Sequence, residues 1–167
     1  MTKSEENLKE AFAGESQANQ KYLAFANKAD KEGFAQVAKL FRAAANAEHV
    51  HATNHLRTLG GIKSTKENLN MAIEGEHHEF TDMYPDFIED AKEENNPSAE
   101  RTFQWANEVE EIHHKLYGQA KKAVEEGKDL EAQDIYVCQG CGYTVEGEAP
   151  DKCPVCGAPK KMFKKIE

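Results

Sequence analysis

Apolar residues recur at three- and four-residue steps over most of positions 2–126, the spacing of helix faces packed on a core. A first helix is predicted from near Thr2, where Glu5 completes a capping box, to near Gly33. Its apolar stripe is Leu8, Ala11, Phe12, Tyr22, Phe25 and Ala26. A second runs from about Phe34 to Leu59, carries Val37, Leu40, Phe41, Ala44 and Ala45, and stops at Gly60-Gly61. A third begins after Ser64, with Glu67 as capping partner, and continues past Phe87 to about Glu94. Pro85 inside it is expected to kink it or loosen a turn. Asn96-Pro97 opens a fourth, a cap followed by proline at the first helical position, and Gly127 closes it. Each helix is about 40 Å long at about 1.5 Å per residue. The turns at 33 and 95–97 imply two antiparallel hairpins, joined by 60–66 (GGIKSTK). That stretch is either the longer crossover of a bundle or is lengthened by an early end to the second helix.

The hairpins repeat each other. Phe41, Glu48 and His51 recur 62 residues on as Phe103, Glu110 and His113, and Tyr22 and Phe25 recur as Tyr84 and Phe87. Gly14-Glu15 recurs as Gly75-Glu76 at an offset of 61, so one extra residue lies between Glu76 and Tyr84. Glu48/His51 and Glu110/His113 are i,i+3 pairs on one helix face, while Glu15 and Glu76 stand once each on the first and third helices. One Glu from each of two helices and Glu-x-x-His from each of the others is the donor set of a di-iron or di-manganese bundle. Carboxylates neutralise two close cations, and imidazoles complete them without adding charge. A lone Glu-x-x-His is commonplace; two at matched places with two matched Glu are not.

Glu79 breaks the symmetry, since Gln17 or Ala18 stands at its counterpart. It reads either as one more surface acid or as an extra ligand that gives one metal two alternative partners. His49, His77, His78 and His114 read as solvated surface, whereas His55 lies i+4 from His51 on its face. Tyr22 and Tyr84 follow Glu15 and Glu76 by two turns, and read either as hydrogen-bond donors to ligand carboxylates or as core aromatics.

Beyond residue 127 the pattern changes. Cys138, Cys141, Cys153 and Cys156 form two C-x-x-C pairs, each followed by a glycine (Gly142, Gly157) that permits a tight turn with N–H groups aimed at sulfur. Four thiolates hold one iron or one zinc, and spacing does not choose between them. So short a module needs the metal to fold.

Net charge is −9, which argues against nucleic acid and anionic membranes as partners. Residues 128–167 hold six lysines against seven acids, leaving the acidity on the helices. No signal-like segment opens the sequence and no stretch reaches membrane-spanning length, so a cytoplasmic address is expected.

The stretches AFAGESQANQKY, FRAAANAEHVH and EGEHHEFTDMYPDF, with the tail CGYTVEGEAPDKCPVCGAPKKMF, resemble the rubrerythrin family over essentially the whole chain. The resemblance implies a mainly α protein: a ferritin-like di-iron four-helix bundle over 1–127, a linker over 128–134, and a small rubredoxin-like Fe(Cys)4 β module over 135–167. It assigns Glu15, Glu48, Glu76, Glu79, Glu110 and His113 to the di-iron site. It makes His51 the ligand that one iron exchanges with Glu79 on redox change, puts Tyr22 and Tyr84 beside the ligands, and favours iron at the cysteines. The segment FQWANEVEEIHHKLY departs from it, with Trp105, Asn107 and Glu108 where small or apolar residues are expected and a second Glu-x-x-His, Glu111/His114, out of register.

A peroxidase that reduces hydrogen peroxide to water in oxidative-stress defence is therefore expected, fed by an external reductase or rubredoxin. Oxygen reduction or ferroxidase activity, and a non-enzymatic iron-binding protein with a zinc ribbon, are its rivals. Since a long bundle is expected to hold the tail far from its own ligands, a head-to-tail homodimer is expected, each tail serving the partner's centre.

Overall fold

The first helix starts at its predicted cap: Glu5 N–H donates to Thr2 Oγ1 at 3.3 Å, and Thr2 N–H donates to Glu5 Oε2 at 2.7 Å. The computed structural model describes residues 1–167 and divides into two compact units, Met1–Lys63 and Ser64–Glu167.

The first unit is a hairpin of α1 (Lys3–Lys31) and α2 (Ala35–Thr58), turned at Gly33 with φ +85°. Its buried residues are alanines: Ala26 and Ala29 on α1, and Ala38, Ala45 and Ala52 on α2. The seven-residue spacing of the α2 set keeps them on one stripe, and their small side chains let the helix backbones approach closely. Asn19 Nδ2 reaches across to donate to the Ala45 carbonyl at 2.7 Å. One side of the hairpin carries an aromatic triad, Tyr22, Phe25 and Phe41, with ring centroids 5.6–6.3 Å apart.

The second unit opens with α3 (Thr65–His78), capped reciprocally by Ser64 and Glu67. The predicted third helix is not one element. It runs as α3, a π-helical turn (Glu79–Met83) and α4 (Tyr84–Glu93). The π turn lies where the repeat offset changes from 61 to 62, and a wider turn is how a helix absorbs one extra residue. Tyr84 N–H there donates to the Glu79 carbonyl. Pro85, which lacks an N–H, follows directly. Asn96, whose side chain accepts from Ala99 N–H at 3.2 Å, starts α5 (Pro97–Glu125). Helices α3 and α4 pack along α5. A second triad, Tyr84, Phe87 and Phe103, has centroids 5.5–6.3 Å apart.

A three-stranded antiparallel sheet of order β2-β1-β3 ends the chain: β1 (Ile135–Cys138), β2 (Thr144–Glu146) and β3 (Phe163–Ile166). Tyr143 and Phe163 stack edge-on at 6.2 Å beneath it, and β2 touches α5.

Candidate metal centres

In the first unit, Glu15, Glu48 and His51 bring ligand atoms within 4.8 Å of one another. His51 Nδ1 lies 2.9 Å from Glu48 Oε2. The ring is 54% exposed and makes no other hydrogen bond. Tyr22 sits in the aromatic triad, two turns beyond Glu15.

The second unit repeats the cluster with Glu76, Glu110 and His113, again with ligand atoms within 4.8 Å. His113 Nδ1 is 2.8 Å from Glu110 Oε2 and 3.8 Å from Glu76 Oε1. Glu111 and His114, the out-of-register pair, are elsewhere: Glu111 takes Lys115 at 2.7 Å, and His114 stacks on Phe80 and His77. His78 faces Asp82 at 3.6 Å.

The electrostatics of this second cluster are those of a site short of positive charge. Burial, together with the charge and hydrogen bond of Glu110, pushes Glu76 up to about 7. Burial and Glu110 also raise Glu79, which stands at the head of the π turn. The hydrogen bond that the His113 ring donates to Glu110 raises His113. Burial and the charges of Glu110, Glu79 and Glu76 hold the Tyr84 phenol above its ordinary value. Tyr117, which no sequence argument singled out, is raised by burial, Glu76 and Glu110, and its ring lies 6.5 Å from that of His113. The signal for it was in the chain: it is i+4 from His113 and lies 62 residues after His55. Carboxylates gathered this closely around an imidazole fit divalent iron, which supplies the missing charge.

The four cysteines are free and their sulfurs converge, with Cys138–Cys156 and Cys141–Cys153 each at 3.6 Å. A tetrahedron with metal–sulfur bonds of about 2.3 Å has edges of about 3.8 Å, so the set fits a single ion. Gly142 and Gly157 adopt φ +87° and +74°, and donate N–H bonds to the Cys138 and Cys153 carbonyls at 2.9 and 3.0 Å. Burial raises the Cys141 thiol against the Tyr143 N–H. At Cys153 burial is outweighed by the N–H groups of Cys156 and Val155, which lower it.

The cysteine module is not remote from its own chain's ligands: Thr144 Oγ1, at the start of β2, lies 2.9 Å from His113 Nε2. A Cβ on Gly142 would come within 3.7 Å of Val109 on α5. Spacing along the sequence carries no sign of this contact, because it joins residues 31 apart through the turn back from α5 into the sheet.

No helix is long and apolar enough to cross a membrane. Residues 6–121 match the rubrerythrin family model, and residues 136–164 match that of the rubrerythrin rubredoxin-like domain. Rubrerythrin-2 of Clostridium acetobutylicum is 36% identical, the alignment covering 93% of this chain and 92% of that one. The rubrerythrin of Nitratidesulfovibrio vulgaris is also 36% identical, over 97% and 93%. A solved structure of fully reduced, all-ferrous nigerythrin matches with TM-score 0.58 and 34% identity, over 99% of this chain and 88% of that one. A ferritin-like helical part with the Glu and His residues of a di-iron site, followed by a rubredoxin-like four-cysteine site, makes this chain a member of the rubrerythrin family of oxidoreductases.

Proposed function

We propose that the chain is a cytoplasmic peroxidase that reduces hydrogen peroxide to water, taking up two electrons and two protons per peroxide. The observation that carries this reading is the hydrogen bond between His113, in a carboxylate–imidazole cluster, and Thr144 of the four-cysteine module. Loaded with iron, the bundle site supplies both electrons to the O–O bond, and the cysteine site replaces them one at a time from an external reductase or rubredoxin. The ligands are Glu15, Glu48, His51, Glu76, Glu79, Glu110 and His113, with Cys138, Cys141, Cys153 and Cys156 for the single iron. His51 has one hydrogen-bond partner and Glu79 heads a π turn, so these two side chains are the ones free to exchange. Burial and the charges of Glu110, Glu79 and Glu76 hold the Tyr84 phenol above its ordinary value, so its O–H stays a donor toward substrate oxygen. Tyr22 has the matching place in the other hairpin.

The active form in this reading is a homodimer. Leu23, Phe25, Val37, Leu40 and Val50 of the first hairpin are 40–69% exposed, an apolar face that a second copy of the chain covers in the shared bundle.

Anaerobic stopped-flow mixing of the fully reduced protein with peroxide tests the activity: both iron signals should oxidise within one turnover time. Faster oxidation by oxygen than by peroxide would overturn the assignment. Sedimentation tests the assembly, since a fully active monomer rules out the shared bundle.

A further inference from the structure

We propose that Thr144, a residue of the cysteine module, is the positioning residue for His113: its hydroxyl accepts the Nε2–H, so that Nδ1, which bonds to Glu110 in the metal-free chain, is the nitrogen that binds a loaded metal, and it ties the module to the helical site of the same chain. The inference rests on His113 being a metal ligand, as proposed above.

Thr144 Oγ1 has two neighbours. It donates to the Gly142 carbonyl at 3.0 Å and lies 2.9 Å from His113 Nε2. When the hydroxyl gives its one proton to the Gly142 carbonyl, it meets the ring as an acceptor and Nε2 carries the hydrogen. The other nitrogen, Nδ1, is the one that faces Glu110 and Glu76, at 2.8 and 3.8 Å. A ring protonated at Nε2 offers Nδ1 as a lone pair, which is the metal-binding form. His51 has Glu48 at Nδ1 and no equivalent of Thr144 at Nε2.

The placement of Thr144 is itself over-determined. It begins β2 and pairs with Val137 on β1, while Cys138 N–H donates to the Tyr143 carbonyl at 2.9 Å. The turn it closes is the knuckle holding Cys138 and Cys141. Gly142 in that turn, at φ +87°, lies where a Cβ would just touch Val109, which is 2% exposed and one turn before His113. The knuckle thus lies close to α5 at two places, with Gly142 near Val109 and the hydroxyl on His113. A β-branched residue suits the place, because its restricted χ1 holds the oxygen in one direction. Any change in the position of the knuckle is carried to the His113 ring through a single atom.

The test uses full-length protein loaded with zinc at both sites, which is diamagnetic, and follows the His113 Nε2–H by nitrogen-edited NMR. In the unsubstituted protein and in Thr144→Ser the proton should be visible and slow to exchange. In Thr144→Val, which keeps the shape without the hydroxyl, it should exchange fast, and zinc affinity at the helical cluster should fall about 10- to 100-fold. The amide spectrum of residues 135–167 reports whether the module is still folded; if Thr144→Val unfolds it, the comparison of the unsubstituted protein with Thr144→Ala decides. A His113 ring bound through Nε2 in the unsubstituted protein overturns the proposal. So does a hydroxyl-free variant that binds zinc within twofold of it. His113→Ala separates the two readings: unchanged zinc affinity there would mean that His113 is not a ligand at all.

Discussion

The two helical hairpins carry the same parts at the same spacing, and they differ where the chemistry would. Their aromatic triads superpose almost distance for distance: 6.3, 6.2 and 5.6 Å in Tyr22/Phe25/Phe41, against 6.2, 6.3 and 5.5 Å in Tyr84/Phe87/Phe103. Their histidines make the same bond to the Glu three residues earlier, at 2.9 and 2.8 Å. The second hairpin then adds three things: an extra residue taken up in a π turn headed by Glu79, a hydroxyl from the cysteine module on His113, and a polar seam. Where α2 buries Ala45 and Ala52, the matched positions on α5 are Asn107 and His114. A duplicated scaffold has kept its packing in one copy and given up part of it in the other.

The largest effect should come from erasing the extra residue. Deleting Thr81 makes α3 and α4 one continuous α-helix, as α1 is, but leaves Pro85 inside it, where the ring collides with the carbonyl four residues back. That should lower stability by about 3 kcal/mol in a denaturant titration. Combined with Pro85→Ala the deletion should be nearly neutral to folding but should remove the turn that Glu79 heads, so peroxide turnover should fall. A double variant as unstable as the deletion alone would show that the π turn does not exist to accommodate Pro85.

Next is the pair of histidines. In metal-free protein His113→Ala breaks bonds to Glu110 and Thr144 and should lower stability by about 1–3 kcal/mol. His51→Ala removes a half-exposed ring with a single partner and should change it by under about 1 kcal/mol. Equal losses would mean that the contact with Thr144 contributes nothing to folding.

These differences were unequally legible in the chain. The helix caps at Thr2, Ser64 and Asn96 follow from local rules that need no tertiary context, and each is found in place. The repeat was visible because the ligand-type residues and aromatics of both copies kept their spacing. Its one-residue slip marked the site of an irregularity without saying which kind, since a loop, a kink or a π turn absorbs an extra residue equally well on paper. Thr144 was invisible for a different reason. A hydroxyl is common in strands, and its meaning comes only from the fold-back that sets β2 against α5.

pH gives a smaller effect with a defined sign. Glu76 binds its proton more tightly folded than unfolded, so folding loses stability as pH rises from about 4.5 through about 7. His113 is also raised, so its stabilisation is complete below about 6.5 and is lost as pH climbs through the higher folded value. Metal-free protein should therefore melt a few degrees lower at pH 8 than at pH 5. Glu76→Gln should flatten the lower part of that slope, and iron or zinc should abolish it by taking the place of the protons. A rise in melting temperature across this window would contradict the crowded-carboxylate picture of the second hairpin.

The smallest expected change tests the polar seam directly. Asn107 Oδ1 is buried without a hydrogen-bond partner. In the other hairpin the equivalent residue is Ala45, whose backbone carbonyl accepts from Asn19. Leaving a buried amide oxygen unpaired costs about 1–3 kcal/mol, while removing the side chain forfeits some packing on α5. The two nearly offset each other, so Asn107→Ala should be neutral or stabilise metal-free protein by about 1 kcal/mol, unlike most truncations of half-buried residues. If instead the substitution destabilises by more than about 1 kcal/mol, Asn107 is held by a partner in the assembled protein. The second hairpin would then have acquired its polar seam to meet another surface rather than by relaxation of its packing.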